Sequence, residues 1–457
     1  MQNVLKLDKE NKIFYKTLFT LCVPIIIQNL LSSLINMVDT IMVGGLGEIS
    51  VAAIGIGNQY FFLYNMALSG IIGGAGLFIA QFFGKNDKDN IRRITALSAI
   101  SALVLGIGFL AVAIFSPRFI VNFFSTDETV VKIAVNYFSV VAFCYPIIAI
   151  SNVFSMGSRS IRNPKLGMVC SSISLVLNII LNYIFIFGKF GMPALGATGA
   201  ALATVISRII ELALLISYVY FIKKDYELRF GFKDIKSINK DLTKVYISKT
   251  IPTFLNDTLW AFGTVLYAVA YSKAGTSAIA ASQIASSTGN FFIMTAVCVA
   301  IGSSIMIGNE LGADNIEKAV QYTKKFSVLV AIVGAIFGGL LITSIPLLLK
   351  LFSVSTALAP DIKKIFIVMG VLMILKTFNT FIIIGVLRSG GDTKFSLFLE
   401  MGCMWLVSLP ITFFAASKGV PIYILVGLTY TEEVVKFIFG VPRALSKRWA
   451  NNIVKDM

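Results

Sequence analysis

The stretch Pro24–Ile56, "PIIIQNLLSSLINMVDTIMVGGLGEISVAAIGI", can be laid over Pro252–Ile284, "PTFLNDTLWAFGTVLYAVAYSKAGTSAIAASQI", at an offset of 228 residues. This register pairs Pro24 with Pro252, Gly47 with Gly275, Ala52 with Ala280, Ala53 with Ala281 and Ile56 with Ile284. An offset of 228 or 229 continues along the chain, through Gly74 with Gly302, Gly84 with Gly312, Pro117 with Pro346, Arg159 with Arg388 and Lys165 with Lys394. It closes on Gly191 with Gly419, Pro193 with Pro421 and Gly199 with Gly427. Isolated Gly and Pro matches arise by chance in apolar sequence, but one offset held from end to end marks a duplication.

The duplicated unit is a set of apolar stretches. The 457-residue chain is 57% hydrophobic and 14% charged. Twelve stretches stand out, at roughly 17–43, 50–82, 94–116, 131–156, 166–188, 194–222, 246–272, 277–308, 320–347, 362–387, 395–416 and 420–442. Each is long enough to cross about 30 Å of hydrocarbon as a helix rising about 1.5 Å per residue. The fold class expected is an all-α polytopic membrane protein of twelve transmembrane helices. Six helices per half is an even number, so both halves enter the membrane from the same face as parallel repeats, an arrangement used by secondary transporters. The boundaries expected are 1–222 for the first six-helix lobe, 223–249 for a polar linker and 250–457 for the second lobe.

The net charge of +16 is a topological signal. With the amino terminus in the cytoplasm, 28 Lys and Arg fall on the cytoplasmic side and 8 on the other. That bias is the positive-inside rule and predicts both termini in the cytoplasm, in a multi-pass protein of a bacterial plasma membrane. The basic excess attracts anionic lipid and implies no nucleic-acid partner. The first apolar run is too long for a cleavable signal peptide. The five cysteines fall in apolar segments without metal-ligand spacing, so neither a disulfide frame nor a zinc site is expected. Histidine is absent, which leaves proton handling to carboxylates.

At this point the residues resemble the multidrug and toxic compound extrusion (MATE) family. The features that carry the resemblance are "P…NMVDTIMVGGLG" followed by "SVAAIGIGNQ", then "GGAGLFIAQFFGKND", and "LRSGGDTK" at Leu387–Lys394. The resemblance implies a V-shaped bundle of two six-helix lobes. It also implies export of amphipathic, often cationic compounds in exchange for sodium ions or protons, with no other cofactor.

The polar residues at membrane depth are the candidate sites, because ionisable groups there are costly and functional by default. Asn29, Ser32, Asn36 and Asp39 share one face of the first helix. Asp39 falls where the family has its first-helix aspartate, and is read as a cation-coupling carboxylate, with a structural hydrogen-bonded carboxylate as the alternative. Asn178 and Asn182 stand one turn apart on the fifth segment. Amide oxygens suit a dehydrated sodium ion and cannot take up a proton near neutral pH. The proton-dependent prokaryotic subgroup of the family resembles an aspartate at the place of Asn182, so a two-carboxylate proton switch is not expected in the first lobe. With Thr204, these residues form an expected cation set of Asp39, Asn36, Asn178, Asn182 and Thr204; the alternative is interhelical amide bonding.

In the second half Asn256, Asp257 and Lys376 are the candidates, with Asp257 either binding a cation or pairing with Lys376. Arg208 with Glu211 and Glu432 with Lys436 have the spacing of intrahelical ion pairs. Glu400 has no evident partner. Arg159 and Arg388 are read as loop residues that cap carbonyls or meet lipid headgroups. Tyr145, Asn152, Tyr267 and Met294 are candidate substrate-cavity residues. The reading is a monomeric cation-coupled exporter working by alternating access. The alternative is a flippase for a lipid-linked oligosaccharide or another amphipathic lipid. No HExxH, GxSxG or DDxxD motif points to an enzyme.

Overall fold

The computed structural model describes residues 2–352, 354, 356 and 358–457; the side chains of residues 2–9, 33, 35–37, 39, 40, 276 and 277 lie outside the described set. The described chain is helical, with no strand among its residues. The long segments are α1 (Gln2–Gly44), α2 (Glu48–Lys85), α3 (Lys88–Phe115), α4 (Glu128–Val141 with Cys144–Ser160), α5 (Lys165–Phe187) and α6 (Gly196–Ile222). The second half holds α7 (Lys240–Ser272), α8 (Thr276–Gly312), α9 (Ile316–Thr343), α10 (Ala359–Arg388), α11 (Thr393–Ser417) and α12 (Ile422–Thr429 with Thr431–Leu445). Nine helices of the described residues are each long and apolar enough to cross a membrane, and α4 is a pair bent by 46°. Of the remaining two, α7 opens on a polar turn and α12 is interrupted at Tyr430.

The backbone widens into π-helix over Tyr218–Ile222, Phe381–Arg388 and Gly402–Ser408. This form is rare and concentrates at functional sites.

The chain divides into two compact units. The N-unit comprises Phe19–Ile79 and Asp87–Ile247; the C-unit comprises the residues up to Leu18, Ala80–Asn86 and Ser248–Met457. The core of the N-unit is aromatic: Tyr60, Tyr64, Phe109, Phe138 and Tyr145 pack ring against ring, and the Tyr64 hydroxyl donates to the Tyr145 carbonyl at 2.6 Å. The core of the C-unit gathers Tyr267, Phe366, Met369, Met373, Met404, Leu425 and Tyr430.

The matched glycines have matched tasks. Gly47 and Gly275 both adopt positive φ, +99° and +101°, at the turns that open α2 and α8, a region open to glycine without a Cβ penalty. Gly84 and Gly312 lie at a crossing inside the C-unit. A Cβ on Gly84 would collide with the Asn309 carbonyl, and one on Gly312 with the Gln81 carbonyl. The close approach lets Asn309 Nδ2 donate to the Ala80 carbonyl at 2.8 Å. Small residues at such crossings allow the backbone contact that drives helix association in lipid.

Candidate functional site

Three of the five residues expected to hold a cation meet inside the N-unit. Asn178 and Asn182, on α5, are buried, and Asn182 Nδ2 donates to Asn178 Oδ1 at 3.1 Å. Asn178 Nδ2 in turn points at Thr204 Oγ1 on α6, 3.4 Å away. Thr204 is anchored by donating to the Ala200 carbonyl at 2.9 Å. The i, i+4 spacing stacks the two amides, and the long contact between α5 and α6 brings the hydroxyl to them. Asn36 and Asp39 lie on α1, but their side chains are outside the described residues.

A second polar node in the N-unit was not anticipated. Gln28 on α1 donates to Ser171 Oγ at 2.9 Å and to Ser155 Oγ at 3.2 Å, and accepts from Arg159 Nη2. Ser171 passes the chain on to Glu211 at 2.7 Å, which is held by Arg208 at 2.7 Å. The Arg208–Glu211 pair has the i, i+3 geometry expected. Gly167 makes room for the node, since a Cβ there would collide with Ser155 Oγ.

The C-unit carries a node at the equivalent positions. Asn256 answers to Gln28 (offset 228), while Arg388 answers to Arg159 and Glu400 to Ser171 (offset 229). Here the partners are charged. Arg388 Nη2 is 2.7 Å from Asp257 Oδ1 and 3.9 Å from Glu400 Oε2, and Asn256 Nδ2 donates to Glu400 Oε2.

Three expectations are corrected by this arrangement. Asp257 does not pair with Lys376, because Lys376 lies 12 residues before Arg388, about 18 Å further along α10 at about 1.5 Å per residue. Its ammonium stands over the Tyr430 ring at 5.3 Å instead. Arg388 is no headgroup-facing loop residue: its side chain is only 12% exposed. Glu400 has partners in Asn256 and Arg388. The offset that revealed the Gly and Pro matches, applied to polar residues, was the signal that could have found both nodes.

The expected Glu432–Lys436 pair is present at 3.3 Å, and Glu433 joins it at 3.6 Å from the same ammonium. The Tyr267 hydroxyl lies 2.7 Å from Ser408 Oγ and 3.1 Å from Glu432 Oε2, with its one proton to share between them, while Asn379 donates to Glu433 Oε2 at 2.8 Å. Of the other residues read as lining a cavity, Tyr145 is 1% exposed within the aromatic core. Asn152 donates to the Ile148 carbonyl at 3.1 Å, and Met294 is half-buried.

Comparison with known proteins places the chain in a family. A probable multidrug resistance protein NorM of Thermotoga maritima is 27% identical over 409 residues, covering 87% of this chain and 85% of its own length. The multidrug resistance protein MdtK of Yersinia pseudotuberculosis is 26% identical over 441 residues, covering 94% and 93%. A crystal structure of a MATE protein in the bent conformation superposes with a TM-score of 0.84 at 22% identity, over 96% of this chain and 97% of the other. The MatE family model matches residues 24–184 and 252–414, one match in each of the two repeats. The chain belongs to the MatE family.

Proposed function

We propose that the protein is a cation-coupled antiporter of the cell membrane that exports amphipathic, often cationic drugs and toxic compounds by alternating access, with both termini in the cytoplasm. It acts as a transporter and not as an enzyme. The reading is supported by family membership, by the multidrug-resistance relatives over nearly the full length, and by apolar helices sufficient for a multi-pass chain.

The observation that carries the coupling half of the proposal is the buried amide and hydroxyl cluster of Asn178, Asn182 and Thr204. Its oxygens match a dehydrated sodium ion in hardness, and Asp39 supplies the charge. A cation shifts a conformational equilibrium only by its differential affinity for the two states. Sodium held by these groups more tightly in the outward state would bias the protein outward and release the drug; a proton on Asp39 is the other ion this role admits.

The test is efflux of a fluorescent cationic dye from energised cells, comparing wild type with Asp39→Asn, with and without sodium and with a protonophore. Export by wild type that is lost in the variant supports the reading, and collapse on sodium removal or on protonophore addition identifies the ion. Equal export by both proteins would show that Asp39 is structural.

A further inference from the structure

α2 runs unbroken from Glu48 to Lys85, yet its residues up to Ile79 fall in the N-unit and its last turns, from Ala80, in the C-unit. In an alternating-access cycle one helix cannot follow two bodies that move against each other, so its end must either bend or change partners. The crossing with α8 at Gly84 and Gly312 holds that end to the C-unit from one side. The chain after α12, residues 446–457, holds it from another.

Gln81, fully buried on α2, grips the main chain of this segment with both ends of its amide. Its Nε2 donates to the Asn451 carbonyl at 3.1 Å, and its Oε1 accepts from the Ile453 amide at 2.9 Å. The same Nε2 donates at 2.8 Å to the Ser389 carbonyl, in the turn between α10 and α11. One turn along α2, Lys85 donates to the main-chain oxygens of Val454 and Met457 at 2.8 and 2.6 Å. The turn at 389–391 admits the segment because two of its residues lack side chains. A Cβ on Gly390 would collide with the Trp449 carbonyl, and one on Gly391 with the Ile453 side chain. Beyond the turn, Lys455 reaches Asp314, just after α8, at 3.0 Å.

The bonds from α2 to the segment go to main-chain groups, so they recognise a peptide and not particular side chains. Trp449 and Val454 are buried as apolar anchors, but Asn451, Lys455 and Asp456 are exposed. Water therefore has access to the segment, and exchanging such a hydrogen bond for one to water changes the free energy little. A clasp made of several of these bonds orders the segment and can still come undone.

We propose that residues 446–457 are a releasable clasp: a peptide, held by Gln81, Lys85 and the 389–391 turn of its own chain, that keeps the end of α2 on the C-unit and lets go when the protein changes state. The inference rests on the alternating-access reading above and adds a step to it.

The experiment bridges the clasp shut. In the full-length chain in proteoliposomes, Asp314→Cys/Lys455→Cys is treated with a short, reducible bifunctional thiosulfonate; the five native cysteines are buried. Bridging should cut transport of a fluorescent cationic dye at least tenfold, reduction should restore it, and each single-cysteine protein treated alike should be unaffected. Undiminished transport by the bridged protein would overturn the proposal. Hydrogen exchange of the wild-type chain in detergent tests the clasp without transport. Peptides from 446–457 should exchange faster than those from α8, and several-fold faster again in Lys85→Ala. A segment protected as strongly as α8, or indifferent to Lys85→Ala, would also overturn it. A wild type that moves no dye would sink the antiporter reading, while the exchange result would still decide for or against the clasp.

Discussion

Arg388 and Asp257, 131 residues apart in sequence, form a buried ion pair at 2.7 Å, with side chains 12% and 17% exposed. Removing one partner of such a pair strands the other. Arg388→Gln leaves two carboxylates facing each other and should destabilise the protein by about 3–5 kcal/mol. The double variant Arg388→Gln/Asp257→Asn should recover part of that loss. Thermal unfolding of the single and double variants, read as a double-mutant cycle, checks the coupling; strictly additive losses would contradict it.

Asn178 is the hub of the N-unit cluster, accepting from Asn182 and donating toward Thr204. If the proposed sodium coupling holds, Asn178→Ala takes away one neutral ligand and leaves the charge of Asp39 in place. The sodium concentration for half-maximal efflux should rise about tenfold, equivalent to about 1.4 kcal/mol, with little change in dye concentration dependence. A variant with wild-type sodium dependence would remove Asn178 from the site.

The α2–α8 crossing in the C-unit leaves no room for a methyl group at Gly312. Gly312→Ala drives a Cβ into the Gln81 carbonyl and should cost about 1–3 kcal/mol, or more where the backbones cannot part. Gly339→Ala is the control, since no atom lies within 4 Å of the added Cβ. Expression level and Tm in detergent distinguish the two; equal tolerance would mean the crossing can yield.

The segment after α6 is tied to α3 through Asp225, which takes Lys88 at 2.6 Å and Arg92 at 2.9 Å. The Lys88 hydrogen bond, with the Lys88 and Arg92 charges behind it, holds the Asp225 carboxyl below the ordinary carboxylate range. A carboxylate so depressed favours the tethered form at pH values above that range, near about 4. The contribution is lost as pH falls through the lowered value. The pair is exposed and screened by salt. Limited proteolysis of the linker should therefore quicken at acid pH or high salt, and Asp225→Asn should reproduce the effect at neutral pH. A cleavage rate indifferent to all three would show that the tether does not order the linker.

Much of this molecule is local, and local features are legible in sequence. The alternation of apolar stretches and turns needed only segment length, and the duplication needed only one offset, which also located the positive-φ glycines Gly47 and Gly275. Arg208 with Glu211, Glu432 with Lys436, and the stacked Asn178 and Asn182 follow from helical periodicity, because residues three or four apart must meet. Where two helices had to be placed against each other, sequence spacing was silent. Lys376 and Arg388 share α10 and offer the same charge to Asp257. Only the level at which α10 passes α7 decided that Arg388 takes the carboxylate and Lys376 stands over Tyr430. Tyr145 looked like a cavity residue by type and became a core ring by packing. Glu400 had no partner within its own helix, and Asn256 and Arg388 reach it from two other helices. The sequence by itself determined the segments, their duplication and the pairs within each helix, since those depend on a fixed rise and turn per residue. Only the tertiary structure decided which buried charges are compensated, because that depends on the axial register between helices, which no intrahelical spacing encodes.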